Sequence, residues 1–227
     1  MRLANTLHTT PWLLPIRIIL SWFYGSIMGL RNLLYKYGFF KSHGVDAVVI
    51  SVGNLSAGGS GKTILVQALV DYLLTRNKTV SILSRGYGRD TSGLVLVANK
   101  SSVLVSPPEA GDEPFLMANN YPGIPVVVSE NRVLGAQYLV ENFAPEVIIL
   151  DDGFQHQRLQ RDINIVILDH DPHEKPHVLP WGFYREYPGN IQRADVVVLS
   201  KRALQENSEK SLNLVLDSQV IDHKGNS

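Results

Sequence analysis

A glycine-rich stretch between a short apolar run and a helical pattern constrains the fold of this 227-residue chain more than any other feature. The run AVVISV (47–52) has the β-branched composition of a strand covered on both faces. The stretch SVGNLSAGGSGKT (51–63) then leads into a helix predicted over residues 62–76. Glycines let backbone N–H groups surround phosphate oxygens, and the following helix contributes its positive end. This order of elements predicts a phosphate-binding loop.

The loop departs from the pattern G-x-x-x-x-G-K-[ST] at its first position, where Ser56 replaces glycine. Serine can take an ordinary φ angle, and the later glycines supply the remaining freedom. Lys62 can reach the β- and γ-phosphates of a nucleotide, and the Thr63 hydroxyl can ligate Mg²⁺. A plain turn with a chance Gly-Lys-Thr is the alternative. The predicted nucleotide-binding residues are Ser56, Ala57, Gly58, Gly59, Ser60, Gly61, Lys62 and Thr63.

Two adjacent aspartates follow another apolar strand in VIILDDG (147–153). Asp151 stands where a phosphate-loop protein needs a carboxylate to hold Mg²⁺ through its water shell. Asp152 would orient a partner, with Arg161 and His156 as candidates. Asp-Asp-Gly alone is typical of a simple turn, but its combination with Gly-Lys-Thr favours a metal site formed by Thr63 and Asp151.

Strand and helix patterns alternate along the remainder of the chain. They predict an α/β fold, a P-loop NTPase-like, doubly wound, mostly parallel sheet flanked by helices, with an N-terminal amphipathic helix and ligands at the carboxyl ends of the strands. LVLVA and SVLVS (94–106) are expected to form a short hairpin or an insertion. The predicted parts are a membrane-associating segment (1–45), a kinase core (46–204) and the start of a C-terminal region (205–227). The helix after the loop carries an apolar stripe of Ile64, Leu65, Ala68, Leu69, Tyr72 and Leu73.

Charge and composition exclude several classes of protein. The formal net charge is zero, so no global field indicates a nucleic-acid partner, and the absence of cysteine excludes disulfides and thiolate metal sites. The first 45 residues contain no Asp or Glu and are basic. Pro15 and Arg17 interrupt the apolar run 11–30 as a spanning helix, and no signal-peptide cleavage site is evident. A helix that lies at the membrane interface fits better, and a helix packed on the body of the domain is the alternative. The apolar residues of the predicted helix are Trp12, Leu13, Ile16, Ile19, Leu20, Phe23 and Ile27.

The segment GDEP (111–114) places a carboxylate in a glycine-led loop. A kinase needs a group that accepts the hydroxyl proton of its substrate, and Asp112 is a candidate. Asp112 could equally cap a helix that has Pro114 in its first turn. The residues alone leave both interpretations open.

Five motifs in one order resemble the tetraacyldisaccharide 4′-kinase family, the lipid A 4′-kinases of Gram-negative bacteria: SVGNLSAGGSGKT, SRGYGR, AGDEPFLMA, LDDGFQHQRLQRDINIVILD and LPWGFYRE. The resemblance extends from the N-terminal apolar helix to about Lys201. A serine or threonine at the first loop position is usual in that family, so Ser56 agrees with it.

The resemblance implies transfer of the γ-phosphate of ATP, with Mg²⁺, to the 4′-hydroxyl of a tetraacyl glucosamine disaccharide 1-phosphate. The expected location is the cytoplasmic face of the bacterial inner membrane, with the N-terminal segment at the membrane surface and no obligate protein partner. Asp112 would be the catalytic base, Lys62 would bind the phosphates, and Asp152 would lie beside the metal ligands. The expected substrate contacts are Glu113, Arg85, Arg132 and Arg185, although each arginine could equally be an ordinary surface residue.

Two departures from the family pattern accompany the resemblance. Phe183 stands where the family usually has proline, and family members continue beyond this chain with a histidine thought to assist the GDEP aspartate; His223 is not assigned that role. We therefore expect a core without its C-terminal part. Two other functions stay open: a nucleotide-dependent switch or partitioning ATPase, although Ala57 replaces the extra loop lysine of one such subgroup, and an inactive homologue that only binds ATP.

Overall fold

A computed structural model describes residues 14–57, 61–168 and 177–200. The strands are β1 (Val48–Asn54), β2 (Val80–Ser84), β3 (Val95–Ala98), β4 (Val126–Val128), β5 (Val147–Asp151), β6 (Ile163–Leu168) and β7 (Val196–Leu199). The helices are α1 (Leu14–Lys36), α2 (Lys62–Thr75), α3 (Pro107–Ala110), α4 (Asp112–Asn120) and α5 (Arg132–Phe143), followed by a 3₁₀ helix (Pro188–Arg193).

The seven strands form one sheet in the order β3-β4-β2-β5-β1-β6-β7. All neighbouring pairs are parallel except β3 with β4. The central strands β1 and β5 place Val52 opposite Asp151, so the phosphate loop and the aspartate pair leave the sheet at the same edge. The prediction of a doubly wound, mostly parallel sheet is confirmed.

The segment predicted as a hairpin or an insertion belongs to the main sheet. β3 pairs antiparallel with β4 and forms the edge of the sheet. The following residues turn back on it: the Asn99 side chain accepts hydrogen bonds from two backbone N–H groups, and Leu104 N–H donates to Val97 O. The hairpin prediction is right for this turn, and the insertion is wrong.

Helices cover both faces of the sheet. One core cluster lies under α2 and α4, a second lies under α5, and a third lies between β6, β7 and the segment that follows Val178. The predicted stripe of α2 is wrong in part: Val66 and Val70 are its buried residues, whereas Ile64 is 72% and Tyr72 53% exposed. This helix is apolar on nearly every side, so its sequence does not specify its rotation.

The first helix has the reverse arrangement of an ordinary surface helix. Its buried residues are Ser21 and Gly25, while large apolar side chains face outward, with Ile19 65%, Trp22 70% and Phe23 60% exposed. Within the described residues, no helix has the length and apolarity needed to cross a membrane. Trp12, Leu13 and the predicted part 205–227 lie outside the described residues.

Candidate functional site

The phosphate loop begins at the end of β1. Ser56 is buried and is absent from the residues with positive φ, so it occupies the ordinary conformation expected for serine. Its hydroxyl accepts a hydrogen bond from Asn54 Nδ2 at 3.4 Å, and Ala57 N–H donates to Phe183 O at 2.7 Å. Gly61 has a φ of 83° and is the N-cap of α2. The predicted loop residues Gly58, Gly59 and Ser60 lie outside the described residues.

Lys62 is the first residue of α2 and points back toward the strand ends. Its Nζ lies 3.2 Å from Asn54 Oδ1 and 3.5 Å from Asp152 Oδ1. Thr63 follows it in the first helical turn and is half-buried. The helix therefore presents an ammonium group beside the aspartate pair, and Thr63 lies one residue further along its first turn.

Asp152 is held between two cations. Arg185 Nη1 donates to both of its carboxylate oxygens, at 2.7 and 3.0 Å, and Lys62 lies on the same carboxylate. Burial alone would raise the pKa of Asp152, but these two positive charges lower it. The predicted partners were wrong: Arg161 donates to the carbonyls of Gly153 and Phe154 instead.

His156 lies among arginines. Burial lowers its pKa to about 4, assisted by the charges of Arg132 and Arg161, so its imidazole is neutral at physiological pH.

Asp151 has the opposite electrostatic environment. It is buried at the end of β5, where Ser84 Oγ donates a hydrogen bond of 3.1 Å to it. Burial raises its pKa to about 6, and the negative charges of Glu113 and Asp152 act in the same direction. The positive charge of Lys62 partly offsets these effects, and a bound cation would offset them further.

The GDEP segment packs against the SRGYGR loop through two glycines. Gly111 has a φ of 88°, and a Cβ at this position would lie 3.0 Å from Tyr87 O. A Cβ on Gly86 would lie 2.9 Å from Ala110 O. Both positions therefore require the absence of a side chain.

Gly111, not Asp112, is the N-cap of α4. Asp112 is the first helical residue and is exposed, so the capping interpretation of its carboxylate does not hold. Glu113 is exposed beside it, and its effect on the pKa of Asp151 shows that the start of α4 lies within electrostatic range of the aspartate pair.

A cleft of about 550 Å³ opens beside Asp152. Arg132 is buried in it, donates to Glu130 O at 3.1 Å, and has a pKa lowered to about 10 by burial and by the positive charge of Arg85. Four arginines face two carboxylates, a balance that suits an anion. The described lining residues are Tyr24, Met28, Arg31, Arg85, Tyr87, Glu130, Arg132, Asp152, Gln155, His156, Leu179 and Arg185.

Of the predicted residues, the structure brings together Lys62, Asp151 and Asp152, with Arg85, Arg132 and Arg185 in the adjoining cleft. Asp112 and Glu113 are not among the described lining residues.

Sequence reasoning missed several residues of the site. Asn54 and Ser84 end β1 and β2, which both neighbour β5, so the rule that ligands bind at carboxyl strand ends could have found them. The contribution of α1, through Tyr24, Met28 and Arg31, had no comparable signal because its separation in sequence from the other lining residues is large.

Comparisons with known proteins identify the family of this chain. The family model described as Tetraacyldisaccharide-1-P 4′-kinase matches residues 12–224. This chain belongs to the tetraacyldisaccharide 4′-kinase family. It is 47% identical to the tetraacyldisaccharide 4′-kinase of Aquifex aeolicus over 82% of this chain and 58% of that protein. For the Chlorobaculum parvum enzyme the identity is 44%, over 78% of this chain and 50% of that protein.

A solved structure of this kinase family is also similar. The LpxK protein of Aquifex aeolicus, described as an "apo" form in complex with ATP, superposes with a TM-score of 0.77 at 46% identity, over 87% of this chain and 60% of that one. The motif resemblance is thus confirmed at the level of family and fold. The chain spans 50–58% of the length of these two curated relatives.

Proposed function

We propose that this chain carries the nucleotide site of a kinase that transfers the γ-phosphate of ATP to the 4′-hydroxyl of a tetraacyl glucosamine disaccharide 1-phosphate. The observation that carries the proposal is the position of Lys62, between Asn54 and Asp152 and beside buried Asp151. An ammonium group and two carboxylates at the mouth of a phosphate loop are the parts that phosphoryl transfer requires. The relative solved with ATP supports the choice of nucleotide.

Mg²⁺ fits the donors present in the site. The described residues contain no group of three His, Cys, Asp or Glu suited to a metal, and Mg²⁺ usually takes one or two carboxylates together with phosphate oxygens and water. The buried carboxylate of Asp151 and the Thr63 hydroxyl would hold it. When bound, the ion would neutralise charge on the β- and γ-phosphate oxygens.

The chain's own residues would divide the remaining work. Lys62 would exchange its contact with Asp152 for the phosphates, while Arg185 stays on Asp152 and keeps that carboxylate ionised. Asp112 would accept the proton of the acceptor hydroxyl. Arg85 and Arg132 would bind anionic oxygens in the cleft, and burial would strengthen the attraction of Arg132 for phosphate.

We also propose that α1 lies on the cytoplasmic face of the inner membrane. Its exposed apolar face and the basic residues of the first 45 positions supply the two signals that give lasting attachment to an anionic bilayer.

Binding of ATP without transfer is the second candidate function. The observation that favours it is the exposed position of Asp112, which is not among the described residues that line the cleft. Removing a positioned proton-transfer partner typically costs about 10²- to 10⁴-fold in rate.

One experiment separates the two functions. The purified chain is incubated with ATP, Mg²⁺ and the disaccharide 1-phosphate in detergent micelles, and the lipid is examined by mass spectrometry. A product with one additional phosphate, lost in Lys62→Ala and Asp112→Asn and retained in the surface control Glu141→Gln, supports the kinase. Nucleotide binding without product supports the second candidate, and ATP hydrolysis that ignores the lipid contradicts the kinase.

A further inference from the structure

The inward face of α1 contacts the body of the protein through polar side chains. Ser21 Oγ donates to Val178 O at 2.7 Å, and Tyr24 OH donates to Arg185 O at 2.8 Å. Asn32 Nδ2 donates to Glu186 Oε2 at 2.8 Å. We call Ser21, Tyr24 and Asn32 the α1 seam, and residues 177–187, which receive all three bonds, the strap.

The other edge of the strap pairs with the start of the phosphate loop. Arg185 N–H donates to Leu55 O at 2.7 Å, and Ala57 N–H donates to Phe183 O at 2.7 Å. Ser56 and Tyr184 form an antiparallel bridge between these two bonds. The strap therefore lies between α1 and the loop and is hydrogen-bonded to both.

Arg185 is fixed from both sides of its peptide unit. Its N–H bonds to the loop, its C=O accepts from Tyr24, and its guanidinium holds Asp152. Its neighbour Glu186 is fully buried and accepts hydrogen bonds at Oε2 from Asn32, from Asn190 at 3.0 Å and from Arg193 at 2.7 Å. Two consecutive residues of the strap are thus anchored by the α1 seam.

We propose that α1 positions the catalytic cleft as well as attaching the protein to a membrane, and that Tyr24 and Asn32 are positioning residues for Arg185. The connection is continuous: Tyr24 holds the Arg185 carbonyl, Arg185 holds the Asp152 carboxylate, and Asp152 contacts Lys62. Membrane attachment uses the exposed apolar face of α1, and positioning of the cleft uses its inward polar face. Single substitutions can therefore affect one task without the other. The nucleotide readout rests on the proposed function, whereas the structural readout below does not.

The test compares Tyr24→Phe and Asn32→Leu in the full chain with Tyr35→Phe, the same aromatic substitution on the same helix outside the seam. A fluorescent ATP analogue with Mg²⁺ reports nucleotide affinity, and amide hydrogen exchange reports the N–H groups of Arg185 and Ala57. Losing one hydrogen bond to a part-buried carbonyl should weaken analogue binding about threefold to tenfold and speed exchange at both amides. Tyr35→Phe should change neither measurement.

We call the exposed apolar side of α1, which includes Ile19, Trp22 and Phe23, the membrane face. A substitution on this face should have the opposite pattern of effects. Ile19→Ser should reduce binding to vesicles that contain phosphatidylglycerol and leave analogue affinity in solution unchanged, while Tyr24→Phe should bind vesicles like the wild type. In a lipid phosphorylation assay, Tyr24→Phe should lower kcat more than it raises KM for the lipid, because Tyr24 holds the Arg185 carbonyl and is not part of the exposed apolar face of α1.

The outcomes are distinguishable. If Tyr24→Phe and Asn32→Leu match the wild type in both analogue affinity and exchange, the proposed coupling is refuted. A second outcome is that the wild type does not bind the analogue. If the amides of Arg185 and Ala57 then exchange faster in Tyr24→Phe but not in Tyr35→Phe, the proposed function is refuted and the coupling stands.

Discussion

Replacing Asp151 with asparagine should stabilise the ligand-free protein and remove much of its stabilisation by MgATP. The reason is that the folded protein holds this carboxylate in a buried position beside Glu113 and Asp152, where its negative charge is unfavourable. Asparagine has nearly the same shape and can still accept the hydrogen bond from Ser84. The charge alone is removed.

The magnitude follows from the pKa of Asp151, which burial raises from an ordinary 3.8 to about 6. Each unit corresponds to 1.36 kcal/mol, so the ionised form costs the folded state about 3 kcal/mol. A carboxyl group with a raised folded pKa has no such cost below its unfolded pKa, and the full cost above its folded pKa. The advantage of Asp151→Asn should therefore grow between pH 4 and pH 6 and then level, at about 6–12 °C in Tm for a chain of this size.

Thermal unfolding followed by circular dichroism between pH 4 and pH 8, in the presence of a chelator, measures this difference. Asp152→Asn is the matched control with the opposite sign, because Lys62 and Arg185 lower the pKa of Asp152 despite its burial. A carboxylate of that kind contributes stability at neutral pH and loses it as the pH falls, so Asp152→Asn should destabilise the protein at pH 8. Added MgATP should then raise the Tm of the wild type more than that of Asp151→Asn.

The reasoning is refuted if Asp151→Asn differs from the wild type by the same amount at pH 4 and pH 8. A variant that is less stable than the wild type at pH 8 without ligands would refute it as well.

Three further substitutions test other parts of the site. Arg185→Lys keeps the charge but loses the planar group that reaches both oxygens of Asp152, so nucleotide affinity by calorimetry should fall about threefold to tenfold, and unchanged affinity would contradict this role. Phe23→Ser removes an exposed aromatic side chain from α1 and should weaken partition into anionic vesicles by about tenfold or more, which flotation would measure; equal flotation would exclude Phe23 from the membrane face. Arg89→Lys breaks a clamp in which Arg89 donates to the Glu130 carboxylate and to a loop carbonyl, so the SRGYGR loop should become more sensitive to limited proteolysis; equal digestion rates would contradict the clamp.

The sequence predicts those parts of the site that depend on one strand and the loop that follows it. The proximity of Lys62 to the aspartate pair could be predicted, because each follows an apolar strand and parallel strands present their carboxyl ends at one edge of the sheet. The rotation of α2 could not be predicted, since its sequence is apolar on several faces and the sheet alone selects Val66 and Val70.

Partner choice was beyond prediction for a different reason. His156 and Arg161 are near Asp152 in sequence and were the natural candidates. In the structure, Arg161 donates to backbone carbonyls and His156 lies among arginines. Arg185 is 33 residues away and reaches Asp152 because the strap pairs with the phosphate loop. That pairing is one short bridge in an irregular segment, and neither composition nor periodicity indicates it.

The division of roles between the two aspartates results from a change of backbone direction between them. Asp151 ends β5 in extended conformation with its side chain buried against Ser84, whereas Asp152 has a φ of 53° and presents its carboxylate to Lys62 and Arg185. A left-handed conformation at a residue other than glycine costs on the order of 1 kcal/mol. Glycine would remove that strain but would leave both cations without their shared carboxylate. The strained backbone therefore separates two adjacent charges: one carboxylate is buried against Ser84, and the other lies between Lys62 and Arg185.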